Sequence, residues 1–313
     1  MKNRKYFYCT LLATLLFIVV LWIIAFNLPP KKDSYNRAYE DKLELLKEET
    51  MDNRLILVGG SNVAFGVDSK TLEDKLQSNF EVINMGLHAG IGLIDMLEDQ
   101  KKYAKEGDII VVIPEYIHFA GGFGDEAFWD IASIRGVKPS DFRYLDHRFL
   151  TGCKYSLMKL NGAMGDAIDR IRGKEKIKHD FEYNREGFNE KGDFVGHWKV
   201  DLGPIEFKPK AMKEKINNTM FRYLKKFNNE MEAKGIKVLY VPPVYNKDAA
   251  ALDREFIDET VTKLHYVGID FITPPKDYFY DKELFFDTIY HLNKSGIDKR
   301  MIQLSKDIKK VIK

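Results

Sequence analysis

Two polar clusters at opposite ends of the chain carry the residue types of acyl chemistry. Gly59-Gly60-Ser61-Asn62 follows the apolar run at residues 55–58. Its two glycines let the backbone turn sharply and leave the Ser61 hydroxyl at a strand tip, near a helix start whose amides can face an oxyanion. Asp287-Thr288-Ile289-Tyr290-His291 precedes the last amphipathic stretch and offers an imidazole with a carboxylate four residues before it. A serine hydroxyl is a poor nucleophile until a base takes its proton, and the developing oxyanion needs preorganised N–H donors. Each cluster alone also has a plain structural reading, as a common strand-end turn and as a capping or core histidine.

These clusters need a fold that brings them together. Five short apolar runs, at residues 55–58, 82–84, 109–113, 238–241 and 271–273, suit strands buried on both faces. Amphipathic stretches at 69–79, 93–107, 208–234, 253–266 and 296–312 read as the helices between and after them. The alternation predicts a three-layer, doubly wound α/β domain over residues 53–313. In such open sheets ligands bind beyond the carboxyl ends of the strands, where Ser61, Gly86 and Glu115 all stand. Residues 120–206 interrupt the alternation with Gly, aromatic and charged residues, either as a lid or as a decoration without chemistry. Their aromatics, among them Trp129, Tyr183, Phe188, Phe194 and Trp198, either stack on sugar rings or pack the insertion onto its own domain.

A serine after the first strand, a glycine after the second and a histidine leading into the final helix resemble the SGNH/GDSL hydrolase superfamily. The likeness runs from about residue 55 to the C-terminus and leaves the insertion uncovered. It implies a flavodoxin-like sheet, Ser61 as nucleophile and His291 as base. Gly86 and the Ser61 amide would form the oxyanion hole, and Asp287 would orient the imidazole. The chain departs from the family pattern in three places. Gly60 replaces the usual aspartate before the serine, and Pro114-Glu115-Tyr116 stands where an asparagine usually serves the oxyanion. Thr288 occupies the place of the acid three residues before the histidine, with Asp287 one residue further back. These changes resemble the membrane-anchored SGNH-like branch that modifies cell-surface polysaccharides. Asn62 either donates to the oxyanion or starts the following helix. Glu115, Tyr116 and His88 are candidate substrate contacts, with a strand-end Glu115 paired to a surface lysine as the alternative.

Other signals exclude more than they suggest. Lys and Arg number 49 against 47 Asp and Glu, so the net charge of +2 leaves no footprint for nucleic acid. Gly122-Phe123-Gly124-Asp125-Glu126-Ala127 follows its strand too distantly for a dinucleotide fingerprint. No phosphate loop and no metal-ligand spacing occurs, and Asp146-His147 and His179-Asp180 read as surface pairs. No cofactor is therefore expected. Cys9 and Cys153 are too few and too separated for a disulfide framework.

Residues 6–26 hold no charge, Gly or Pro, and as a helix they reach about 30 Å, the thickness of a bilayer's hydrocarbon core. Lys2, Arg4 and Lys5 before them favour a cytoplasmic N-terminus at residues 1–5 and a body outside the cytoplasm. A cleaved signal peptide is the rival reading, but Ala25-Phe26-Asn27-Leu28-Pro29-Pro30 is a poor cleavage site. Residues 6–27 are expected to anchor the chain in the bilayer, with 28–52 as a stalk containing a helix at 37–50. The sequence thus points to an anchored esterase or O-acyltransferase acting on an acylated glycan or cell-wall polymer, with a multi-pass membrane acyltransferase as a candidate partner. Its alternative is a non-catalytic glycan-binding or scaffold protein. Full-length protein should stay in the membrane fraction after carbonate extraction; soluble protein beginning near Asn27 would contradict the anchor.

Overall fold

The computed structural model describes residues 2–48, 53–120, 125–142, 147–173, 183–200, 202 and 208–312. The chain opens with α1 (Lys2–Asn27), ended by Pro29-Pro30, followed by the stalk helix α2 (Ala38–Lys47). Then come β1 (Arg54–Gly59), the single turn α3 (Ser61–Ala64), α4 (Ser69–Leu76) and β2 (Glu81–Asn84). Next are α5 (Leu93–Tyr103), β3 (Ile109–Ile113), α6 (Glu126–Arg135) and α7 (His147–Ile171). The second half runs through α8 (Asn218–Glu232), β4 (Lys237–Tyr240), β5 (Tyr245–Asn246), α9 (Lys247–Leu252) and α10 (Arg254–Tyr266). It closes with β6 (Phe279–Tyr280) and α11 (Lys294–Val311). Among the described residues one helix, within α1, is long and apolar enough to cross a membrane.

The main sheet has four parallel strands in the order β2-β1-β3-β4. Successive side chains alternate between its faces. Ile56, Val58, Ile83, Ile110 and Val112 meet α5 and α8 on one side, with the stalk helix beside them. Leu55, Leu57, Val82, Val111 and Leu239 meet α4 and α11 on the other. Helices on both faces give the three layers. The connection from β1 to β2 uses one face and that from β2 to β3 the other, so winding reverses beside β1. The crevice beyond β1 and β3 is therefore the topological switch point.

Two predicted elements are shorter than expected. Residues 271–273 contribute only a parallel bridge from Phe271 to Tyr240, with the Ile272 amide on the Tyr240 carbonyl at 2.9 Å. Pro274 and Pro275 follow directly and cannot donate to a ladder, which stops the strand. The helix expected from residue 208 begins at Asn218, where the Asn217 side chain accepts the Thr219 amide at 2.9 Å. In the insertion, α6 and α7 pack at the end of α1, while residues 183–200 reach the site. Residues 122–124 of the G-x-G-x-x-A stretch, and Asp146, His179 and Asp180, lie outside the described residues.

The stalk is fastened to the sheet by a buried cation. Lys42, 2% exposed, donates to the carbonyls of Asn84 (2.8 Å) and Gly192 and lies over the Phe188 ring. Burial pulls its pKa from the ordinary 10.5 down to about 7. Below that value the ammonium is charged whether folded or unfolded, and the burial cost is fully present. Above it the unfolded chain binds the extra proton, so stability rises with pH until the unfolded lysine also titrates. Relative to Lys42→Met, the protein should gain up to about 1.4 kcal/mol per pH unit across that window in urea unfolding. Parallel stability curves would contradict the assignment.

Candidate active site

Pairing of Gly59 with Ile113 sets the tips of β1 and β3 side by side. Gly60 is extended and starts α3, placing the Ser61 and Asn62 amides on its first turn. Glu115, 4% exposed, reaches across from the end of β3. Its Oε1 accepts from Ser61 Oγ at 3.2 Å and from the Asn62 amide at 3.0 Å. The same carboxylate accepts the His118 amide in a capping box, while His118 Nδ1 accepts the Glu115 amide at 3.0 Å. With Nδ1 an acceptor, His118 Nε2 donates to the Ala89 carbonyl at 3.2 Å, and burial holds its pKa down. The expected alternative, a surface Lys partner for Glu115, does not occur among the described residues. Glu115 sits against Ser61, where the sequence placed a polar site contact.

His291 arrives from the other end of the chain. Its Nδ1 meets Asp287 Oδ1 at 2.8 Å, although four residues separate them and the segment is not helical. Thr288 makes this possible. Its Oγ1 accepts the amides of Tyr290 (3.2 Å) and His291 (3.1 Å), curling the chain so that carboxylate and ring face each other. Thr288 thus builds the turn that brings the Asp287 carboxylate to the imidazole. The Tyr183 hydroxyl also donates to Asp287. Burial alone would raise Asp287, but the bonds from His291 and Tyr183 outweigh it and hold its carboxyl below the usual range.

The imidazole stacks on Phe65, with ring centroids 4.1 Å apart and planes 8° from parallel. Phe65 is four residues after Ser61 and its amide bonds the Ser61 carbonyl at 2.8 Å, so ring and serine share one face of the turn. His291 Nε2 has no hydrogen-bond partner among the described residues, and in this arrangement the Ser61 hydroxyl goes to Glu115 instead. Arg300, from α11, donates to the carbonyls of Asn62 (2.6 Å) and Gly66 (3.3 Å), tying the last helix to this turn.

The remaining candidates have other engagements. The Gly86 amide donates to Asn84 Oδ1 at 2.8 Å, while Asn84 Nδ2 donates to the Val63 carbonyl and to Asp193. The Asn62 side chain is buried and donates to the Ile113 carbonyl at 3.3 Å, bracing the two strand tips; its backbone amide faces the serine side. Tyr116 is buried against Tyr245, and its amide donates to the Tyr290 hydroxyl at 3.1 Å. His88 is exposed, with Nδ1 accepting from the Gly90 amide. Phe65, Asn84, Asp193 and Arg300 were not singled out from sequence, and Tyr183 only as one of the insertion's aromatics. Only Asn84, a polar residue ending an apolar strand, left a readable signal.

Among the described residues no group of three or more His, Cys, Asp or Glu could hold a metal ion. A cleft of about 1390 Å³ lies instead among α2, α5 and α6, lined by residues such as Tyr39, Asp99 and Arg135. Chemistry rather than cavity size therefore marks the Ser61–His291 region as the candidate site. No protein-family model matches the chain, and no curated protein matches it in sequence.

A Cβ at Gly60 would lie 2.5 Å from Glu115 Oε1. Gly60→Ala should therefore cost about 1–3 kcal/mol by displacing the carboxylate. Most of that cost should vanish in a Glu115→Ala background. Additive penalties in a double-mutant cycle would show that Gly60 is constrained by something else.

Proposed function

We propose that the chain is a membrane-anchored serine esterase or O-acyltransferase of the SGNH kind, working outside the cytoplasm on acyl groups of a surface glycan or cell-wall polymer. The observation that carries this reading is the Asp287–His291 pair, its Nε2 unengaged and its ring stacked one turn from Ser61. In the proposed reaction Ser61 Oγ bonds to the acyl carbon and its proton passes to His291 Nε2. Asp287 holds the Nδ1–H and stabilises the imidazolium. The oxyanion faces the amides of Ser61 and Asn62 once Glu115 yields the latter. The imidazolium then protonates the departing alkoxide, and water or a glycan hydroxyl, deprotonated by the same imidazole, takes the acyl group from Ser61. An acyl donor would come from a multi-pass membrane acyltransferase or a lipid-linked ester. The basic flank of α1 supports a cytoplasmic N-terminus.

One feature favours the second reading, a non-catalytic glycan binder or scaffold. Glu115 accepts from Ser61, Asn62 and His118 together, so a negative charge stands where the oxyanion must form. The two readings part on Glu115→Gln. A side-chain amide there can donate to the oxyanion, and in a catalyst turnover of an aryl acetate should rise several-fold. Ser61→Ala and His291→Ala should each abolish it, and Asp287→Ala should cost on the order of 10²–10⁴-fold. Full activity in His291→Ala removes the hydrolase reading. Absence of any turnover in folded wild type and in Glu115→Gln favours the binder.

A further inference from the structure

The helix α7 is fixed against the exit of α1. Phe26 in the last turn of α1 packs on Trp129 (ring centroids 5.0 Å apart) and Phe142 (5.2 Å), and Phe149 and Cys153 of α7 join the same cluster. Gly152 lets α7 approach closely, since a Cβ there would lie 2.3 Å from the Trp129 ring. On the same inner side the Tyr155 hydroxyl bonds Asp130 at 2.9 Å and Lys159 pairs with that carboxylate. Further along, Asp166 forms a 2.6 Å ion pair with Lys31, just beyond the end of α1.

The opposite side of α7 has no cover among the described residues. Leu150, Leu157, Met164 and Ile171 recur every seven residues, with Ile168 beside them, and their exposures run from 45% to 85%. That is an apolar stripe along a helix about 37 Å long. Lys154 and Asn161, which are exposed, flank it. Residues 4–21 of α1 are exposed throughout, while Ala25 and Phe26 are buried by the body. Among the described residues the body thus grips α1 only near its end, at Trp22, Ala25 and Phe26, the level at which a spanning helix leaves the hydrocarbon.

We infer that α7 is a second membrane element, an amphipathic helix seated on the outer leaflet with its Leu150–Leu157–Met164–Ile171 stripe among the lipid acyl chains. The inference rests on α1 spanning the bilayer. Its occupant is lipid because α7 is clamped to the last turn of α1, the helix whose exposed, mostly apolar residues 4–21 reach the length of a bilayer core. Seated in this way, α7 would give the body a second hold on the membrane beside α1 and so set its height and orientation. The Ser61 crevice would then work at a set distance from the membrane surface.

Spin labels on the full-length chain test this in phosphatidylcholine–phosphatidylglycerol liposomes. The native cysteines are removed as Cys9→Ser and Cys153→Ser, and single cysteines are placed as Leu157→Cys, Met164→Cys, Lys154→Cys, Asn161→Cys and, within α1, Leu15→Cys. Collision with oxygen should exceed collision with a water-soluble nickel complex several-fold more at 157 and 164 than at 154 and 161, with position 15 reading lipid. Equal nickel access at all four α7 positions, with position 15 still in lipid, overturns the inference and leaves the anchor standing. Shielding of 157 and 164 from both reagents also overturns it, since protein would then cover the stripe. Nickel access at position 15 removes the anchor and the inference with it.

Discussion

The parallel pairing of β1 with β3 is the constraint on which the candidate site depends. Five consecutive residue pairs, Leu55–Ile109 through Gly59–Ile113, hold the two strands in register, and all of these residues are buried. Because side chains alternate, a slip of one residue would expose both apolar faces to the wrong layer. The register therefore fixes which residues emerge together at the strand tips: Gly60 and Ser61 from one, Pro114 and Glu115 from the other. Glu115 is held there by three donors, and the absence of a side chain at Gly60 leaves room for its carboxylate. The same contact that aligns the tips also occupies the serine, so structural order and chemical readiness pull in opposite directions at this residue.

The far end of the chain is joined to that crevice by different means. Arg300 is fully buried and has no carboxylate partner among the described residues; it directs its charge at the backbone carbonyls of Asn62 and Gly66. Those bonds fix α11 against the serine turn, and with it the segment that precedes α11. The Asn293 side chain accepts the Gly296 amide and starts the helix, so His291 lies two residues before a rigid element. Phe65 supplies a flat apolar surface for the imidazole, and Tyr183 from the insertion closes over Asp287. Asp287, His291 and Ser61 thus come from segments whose positions are set by packing around them.

The strands were legible because continuous runs such as residues 109–113 leave no helical periodicity and suit burial on both faces. The topological places of Ser61 and His291 could be read for the same reason, since strand ends and helix starts locate them. What escaped depended on single atoms or on local interruptions. The turn that carries the expected Asp287–His291 contact rests on the Thr288 hydroxyl, and the diversion of the Gly86 amide rests on the direction of the Asn84 side chain. Neither is encoded in a hydrophobic pattern. The helix α7 was hidden by Gly152, Gly162 and Gly165, which lower helix propensity, although its seven-residue spacing was present. The shortened run at 271–273 ended at a proline pair that spacing alone did not weigh.

The central claim is that Ser61 is a nucleophile served by His291. Intact-mass analysis and peptide mapping after treatment with a fluorophosphonate test it most directly, because the reagent phosphonylates an activated serine hydroxyl and expels fluoride. The account predicts one adduct per chain, on the peptide holding Ser61, with labelling slowed at least tenfold in His291→Ala while that variant remains folded. Folded wild-type protein that takes up no adduct, or an adduct at Ser61 formed equally fast without His291, would contradict it.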